Sequence, residues 1–252
     1  MSCIIKMFKR PKLENPILVE GLPGIGLIAN IAVAFLIKKV KAEKLCEIMS
    51  TSFPEVFVTE KAGIAKLPFC RLYYYQGKKE RGERDLILAY GNTQALTRRG
   101  QYELCYAILD TCEKFGCRDL ITLGGYRSGK EVKRPNLYYA ASDLETAKKA
   151  ASLGAEILHG QIYGVAGLLI GLAALRGMRG FCLLAETTGD HLDVKAAREV
   201  LRAISDILGL NLDLEELRSA EDLADFLAPF DFGVLAAERL RKMVRPRPKW
   251  FV

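Results

Sequence analysis

The chain has 252 residues, half of them hydrophobic and 27% charged, with a formal net charge of +7. That length corresponds to one large domain or two small ones, and it buries enough surface to fold without disulfides or metal. The composition excludes disordered, collagen-like and coiled-coil chains.

The N-terminus is basic, with Lys6, Lys9, Arg10 and Lys12 close together. Ile17–Glu20 reads as a short apolar strand, and Gly21-Leu-Pro-Gly-Ile-Gly26 turns it into an apolar helix near Leu27–Ile37. A second strand follows around Lys44–Met49, before a break at Thr51-Ser-Phe-Pro54. Val56–Glu60 and Cys70–Gln76 alternate or carry β-branched and aromatic residues, so both are predicted strands. Tyr73-Tyr74-Tyr75 alternates across the second of these and reads as packing. Gly77–Arg84 is a charged hairpin loop and Asp85–Tyr90 a buried strand. Gly100–Phe115 has helical period, with Gly116 as the residue just past its end. Asp119–Leu123 is another buried strand, ending in Gly124 and Gly125. Tyr138–Ala141 is extended, and Ser142 or Asp143 caps a helix through Leu153 that Gly154 stops. Gly164–Leu175 is a glycine-rich buried helix, and Gly180–Glu186 is the last clear strand. Val194–Leu208, Leu214–Leu227 and Phe232–Val244 are amphipathic helices, the third running into a basic tail with Arg241, Lys242, Arg245, Arg247 and Lys249.

Strands alternating with helices, several of them continuously apolar, predict an α/β fold with a mostly parallel sheet covered on both faces. Residues 1–192 form the α/β core, 193–244 a helical segment packed on it, and 245–252 an extended tail. Seven cysteines without a CxxC or a signal peptide indicate reduced thiols in an intracellular chain, acting as buried small hydrophobes. Residues 16–37 and 160–175 are apolar, but prolines, glycines and Glu20 interrupt the first and the second is too short to span a bilayer. The protein is read as soluble and cytoplasmic. The basic excess shows no stripe interleaved with aromatics and no nucleic-acid module.

Three patterns could carry chemistry. Gly21, Gly24 and Gly26 lie between a strand and a helix, where backbone amides can cradle a phosphate. Their order reverses the dinucleotide fingerprint, so close helix–sheet packing is the favoured reading. Gly124-Gly-Tyr-Arg-Ser-Gly-Lys130 follows a buried strand and fits G-x-x-x-x-G-K. Glu131 stands where a P-loop needs Ser or Thr, and Pro135 forbids a clean helix. This reads as a polar strand-exit loop with room for a small anionic ligand. Thr187-Thr-Gly-Asp-His191 is read as helix capping before Val194. Two histidines and no HExxH argue against a catalytic metal. No catalytic residue and no cofactor are assigned.

The C-terminus, Arg245-Pro-Arg-Pro-Lys-Trp-Phe-Val252, has two spaced prolines that favour extended polyproline geometry. Eight such residues reach roughly 25 Å at about 3.1 Å each. Trp250 and Phe251 then either enter a partner pocket or fold back on their own domain.

Several blocks together resemble a known family: Val19-Glu-Gly-Leu-Pro-Gly-Ile-Gly-Leu-Ile-Ala-Asn30, Ser52-Phe-Pro54, Tyr90-Gly-Asn-Thr-Gln94, Ile121-Thr-Leu-Gly-Gly125, Gly160-Gln-Ile-Tyr-Gly-Val-Ala-Gly-Leu-Leu169 and Leu183-Leu-Ala-Glu-Thr187. The whole resembles an archaeal member of the proteasome assembly chaperone two family over about residues 15–228. The resemblance implies a three-layer α/β/α sandwich similar to nucleoside phosphorylases, without catalysis. It implies ATP-independent assembly of proteasome α-subunits, and self-association. Proteasome-binding tails commonly end in a hydrophobic residue, a tyrosine and any residue. Trp250, Phe251 and Val252 match those positions with Phe for Tyr, which bears on gate opening more than on docking. On this reading Trp250 and Phe251 anchor apolar pockets, the Val252 carboxylate pairs with a lysine, and Arg247 and Lys249 steer the tail. The alternative is a nucleoside-like small-molecule site or enzyme built on Gly21, Gly24, Gly26, Gly124, Gly125 and Lys130. A third reading makes 194–244 a surface for other clients.

Overall fold

The computed structural model describes residues 3–56, 58–59, 65–128 and 134–217. In chain order the elements are β1 (Cys3–Met7), β2 (Ile17–Gly21), α1 (Ile28–Lys39), β3 (Glu43–Ser50), β4 (Val58–Thr59), β5 (Ala65–Lys66), β6 (Cys70–Tyr75), β7 (Leu86–Gly91) and α2 (Arg98–Lys114). They continue with β8 (Asp119–Arg127), β9 (Leu137–Ala141), α3 (Leu144–Ser152), β10 (Glu156–Ile157), α4 (Val165–Ala174), β11 (Arg179–Thr187) and α5 (Val194–Leu208). Nine strands form one sheet in the order β1-β3-β6-β7-β2-β8-β11-β9-β10, and β4 pairs with β5 apart from it.

The α/β class holds, but the sheet is mixed rather than mostly parallel. The central run β7-β2-β8-β11 is parallel throughout, as is the short β9-β10 pair at the edge. β1, β3, β6 and β7 pair antiparallel in turn, and β9 returns antiparallel to β11. The hairpin predicted at Gly77–Arg84 joins β6 to β7 and makes one of these antiparallel contacts.

Side chains that pair across the central strands sort to opposite faces. Val19, Leu88, Ile121 and Leu183 pack with α1 and α5. Leu18, Ile87, Leu120 and Cys182 pack with α2 and α4. Ten consecutive residues of α1, Ile28 to Ile37, are buried, because the sheet covers one side and α5 the other. α5 buries Val194, Ala196, Ala197, Val200, Leu201, Ile204 and Leu208 in the same cluster. Tyr73 and Tyr74 enter opposite clusters, as their alternation predicts. The cysteines are all free, and each is buried except the partly covered Cys3.

The helix ends follow the sequence cues. Thr97 accepts from the Gly100 N–H and Asp143 from the Thr146 N–H, and Gly116, Gly154 and Gly209 close α2, α3 and α5 in left-handed conformation. β1, β5 and β10 are additional to the predicted strands, and β8 runs past Gly125 to Arg127. Leu214–Glu216 is a single 3-10 turn. The remainder of the helix predicted over Leu214–Leu227, the helix at Phe232–Val244 and the tail lie outside the described residues. Among the described residues no helix is long and apolar enough to cross a membrane.

Candidate functional site

β2, β8 and β11 are parallel, so their C-terminal ends meet at one end of the sheet, the place where open parallel sheets receive ligands. From Gly21 the chain turns through Leu22–Leu27 into α1. A Cβ on Gly21 would stand 2.4 Å from the Ala29 carbonyl oxygen, so glycine lets α1 lie directly on β2. Gly26 and Leu27 are both left-handed, with φ of +63° and +52°. Glycine adopts this freely, whereas leucine is strained there. The Asp193 N–H donates to the Gly26 carbonyl at 3.0 Å, which helps hold the turn.

Gly124 and Gly125 are not in a strand-exit loop. They sit within β8, where Gly124 pairs with Leu184 and Gly125 with Ala185 of β11. A Cβ on Gly125 would meet the Ile25 carbonyl oxygen at 2.7 Å, and one on Gly124 would meet Leu184 Cδ2 at 2.6 Å. Four of the five predicted glycines thus serve close approach or a left-handed turn. Gly24 differs, since a Cβ there meets nothing within 4 Å.

Polar side chains lock these parts together. Asn30 Nδ2 donates to the Gly21 carbonyl at 3.0 Å and to the Gly91 carbonyl at 2.8 Å, tying β2 to β7. Gln94 Nε2 donates to the Pro23 carbonyl at 2.6 Å, and its Oε1 accepts from the Val165 N–H at 3.4 Å, tying the turn to α4. The Thr187 hydroxyl donates to Asp193 at 2.6 Å, and Asp193 accepts from the Ala196 N–H at 2.9 Å as the N-cap of α5. Asp190 pairs with Arg127 at 3.3 Å. The N-cap of α5 is thus Asp193, just past the predicted Thr187–His191 stretch, in which Thr187 supports the cap and Asp190 pairs with Arg127 instead.

These elements enclose a cleft of about 230 Å³. Gly24, Ile25, Gly124 and Gly125 line it, with Arg127 and Tyr126 beside them and Gln161, Ile162 and Tyr163 across from the segment before α4. The Tyr126 ring packs tilted against Tyr138, with centroids 4.8 Å apart and 53° between the planes, and Tyr163 is 84% exposed. Glu20 reaches the cleft from β2 while remaining only 1% exposed. Its Oε1 accepts from the Leu22 N–H at 2.8 Å, and its Oε2 has no hydrogen-bond partner. Burial pushes the Glu20 carboxyl up to about 8. Sequence reasoning treats Glu20 only as an interruption of an apolar run. The signal that could have found it is that interruption: one acid in a strand buried at all five positions. Lys130 lies outside the described residues, as do Arg247, Lys249, Trp250, Phe251 and Val252.

The PAC2 family model matches residues 18–225. The chain belongs to the PAC2 family. An uncharacterized protein of Methanocaldococcus jannaschii is 34% identical to this PAC2 chain over 220 residues, 85% of this chain and 83% of its own length. PbaB of Pyrococcus furiosus, described as an archaeal proteasome activator, has a TM-score of 0.81 at 33% identity, covering 97% of this chain and 99% of PbaB. PbaA of the same organism, described as an archaeal homolog of proteasome-assembly chaperone, has a TM-score of 0.75 at 27% identity, covering 96% and 100%. The family resemblance read from the sequence blocks is borne out, and the mixed α/β sheet is the fold of these PAC2 structures.

Proposed function

We propose that this PAC2 protein works on the proteasome, as an ATP-independent assembly chaperone or adaptor in the cytoplasm that binds α-subunits of the core particle through its C-terminal tail. The observation that carries this reading is the similarity to PbaB, an archaeal proteasome activator, over almost the whole of both chains. The tail sequence supports the mode of contact. Trp250 and Phe251 supply apolar anchors, the Val252 carboxylate pairs with a lysine, and Arg247 and Lys249 raise the association rate toward an acidic surface. Self-association would multiply the tails and add avidity through effective concentration.

The test is a pull-down of archaeal proteasome α-subunits with the full chain and with a chain ending at Lys249. Capture by the full chain alone is expected. Capture by both moves the contact to the folded domain and overturns the tail mechanism. Capture by neither overturns the proteasome reading.

A further inference from the structure

Proteasome binding through the tail leaves the Glu20 cleft without a role. We propose that the cleft binds a compact apolar ligand bearing one cationic hydrogen-bond donor, an amine or amidinium, that pairs with Glu20 Oε2. The proposal is independent of the proteasome reading.

Three observations converge on this chemistry. The inner polar group of the cleft carries one oxygen without a hydrogen-bond partner, while the amide donors near it, Asn30 Nδ2 and Gln94 Nε2, are paired; Asn30 Oδ1 and Thr188 Oγ1 are also unpaired, but neither residue lines the cleft. Buried polar atoms are ordinarily satisfied, so an unpaired carboxyl oxygen on a residue that lines a cavity points to a donor from outside. Around Glu20 the walls are apolar, from Leu22, Leu158, Ile162, Ala166 and Leu184. Once ionised, a carboxylate in such walls favours a charged donor, because charge-assisted hydrogen bonds strengthen where water is excluded. Arg127, the cation at the rim, is already engaged by Asp190 and by the Gly189 carbonyl. An anionic ligand would therefore meet ionised Glu20 with no free guanidinium among the described cleft residues to offset it. The volume of about 230 Å³ is below the ordinary range for drug-sized ligands, and suits one ring with a short arm.

Ionising Glu20 for such a ligand costs the release of its proton, so affinity rises with pH until about 8. On β2's neighbours the cross-strand partners of Glu20 are Ala89 and Thr122, which do not titrate in this range. Cys70 of β6, Cys105 of α2 and Cys182 of β11 face it, and burial pushes each thiol up, so they stay neutral across the same range.

The probe is benzylamine, titrated calorimetrically into the full chain at several pH values, with benzyl alcohol and benzoate as uncharged and anionic controls. Benzylamine is expected to bind, more tightly as pH rises toward 8, and Glu20→Gln to weaken it by about tenfold or more. Ala166→Leu, which fills the cleft from α4 and keeps Glu20, is expected to remove binding as well. It decides the matter if the Glu20 variant does not fold. Equal binding of benzyl alcohol, binding unchanged in Ala166→Leu, or no binding of benzylamine overturns the proposal. The pull-down above reads tail binding separately, so failure of one result leaves the other intact.

Discussion

At Glu20, solvent exclusion has a direct thermodynamic consequence. Its folded-state pKa, about 8, lies above the ordinary 4.5, so the native protein holds a proton that the unfolded chain releases. The stability associated with that proton is fully present below about pH 4.5 and is lost as pH rises to about 8, at roughly 1.4 kcal/mol per pH unit at most. Glu20→Gln keeps an acceptor for the Leu22 N–H and removes the titration. The variant is expected to lose this part of the pH slope in urea unfolding and to be more stable than the parent above about pH 8. The glycines of the first turn give a contrasting pair. Gly21→Ala places a methyl 2.4 Å from the Ala29 carbonyl oxygen and is expected to lose about 1–3 kcal/mol. Gly24→Ala meets open space with φ at −142°, and is expected to stay within about 0.5 kcal/mol. Equal unfolding midpoints for the two would contradict this account. The sequence made all three glycines visible and favoured packing for them. It could not separate them, because which one touches α1 depends on the direction α1 leaves the turn.

Single elements were legible in proportion to how local their signals are. α2, α3 and α5 carry caps, period and stop residues in the sequence itself, and the structure follows them closely. Asp193 shows how much one cap can hold: it accepts from the Ala196 N–H and from the Thr187 hydroxyl, and its own N–H fixes Gly26. Asp193→Ala is expected to cost about 1–3 kcal/mol in urea unfolding, and Asp193→Asn less, since it keeps an oxygen at the helix start. An equal loss in both variants would mean that charge, rather than the oxygen acceptor, stabilises this junction. β1 and β10 were not legible because both are edge strands. β1 pairs Cys3 with Ser50, far along the chain, and β10 has two residues. Neither contains a buried apolar run to mark it. β8 was read as ending at Gly124 because paired glycines signal a turn. Here Gly125 lets the 21–27 turn lie against the strand, and Gly124 makes room for Leu184.

For the whole molecule, strand and helix alternation was enough to place the chain in the α/β class. It was not enough to fix strand direction. The hairpin at Gly77–Arg84 did give the antiparallel β6–β7 pair, but β3's pairing with β1 and β6 and β9's return beside β11 are long-range choices. The candidate cleft was half legible. Its glycines stood out, while Glu20, Gln94 and Tyr163 came together only through the meeting of β2, β7, β8 and the start of α4. The tail was visible as sequence, and its removal is expected to separate binding from folding: a chain ending at Lys249 should keep the melting temperature of the full chain while losing capture of α-subunits.

The ten buried residues of α1 also set a timetable. Their cover comes from β7, β8 and α5, and α5 ends at Leu208, roughly 170 residues after Ile37. At about 5–20 residues per second, a ribosome needs roughly ten to thirty seconds to deliver that cover. Throughout that interval the strands β2, β7 and β8 can cover only the sheet-facing side of α1, and the side that α5 closes stays bare. The outer side of α1 is therefore the stretch of the nascent chain most exposed to neighbouring chains until α5 has been made.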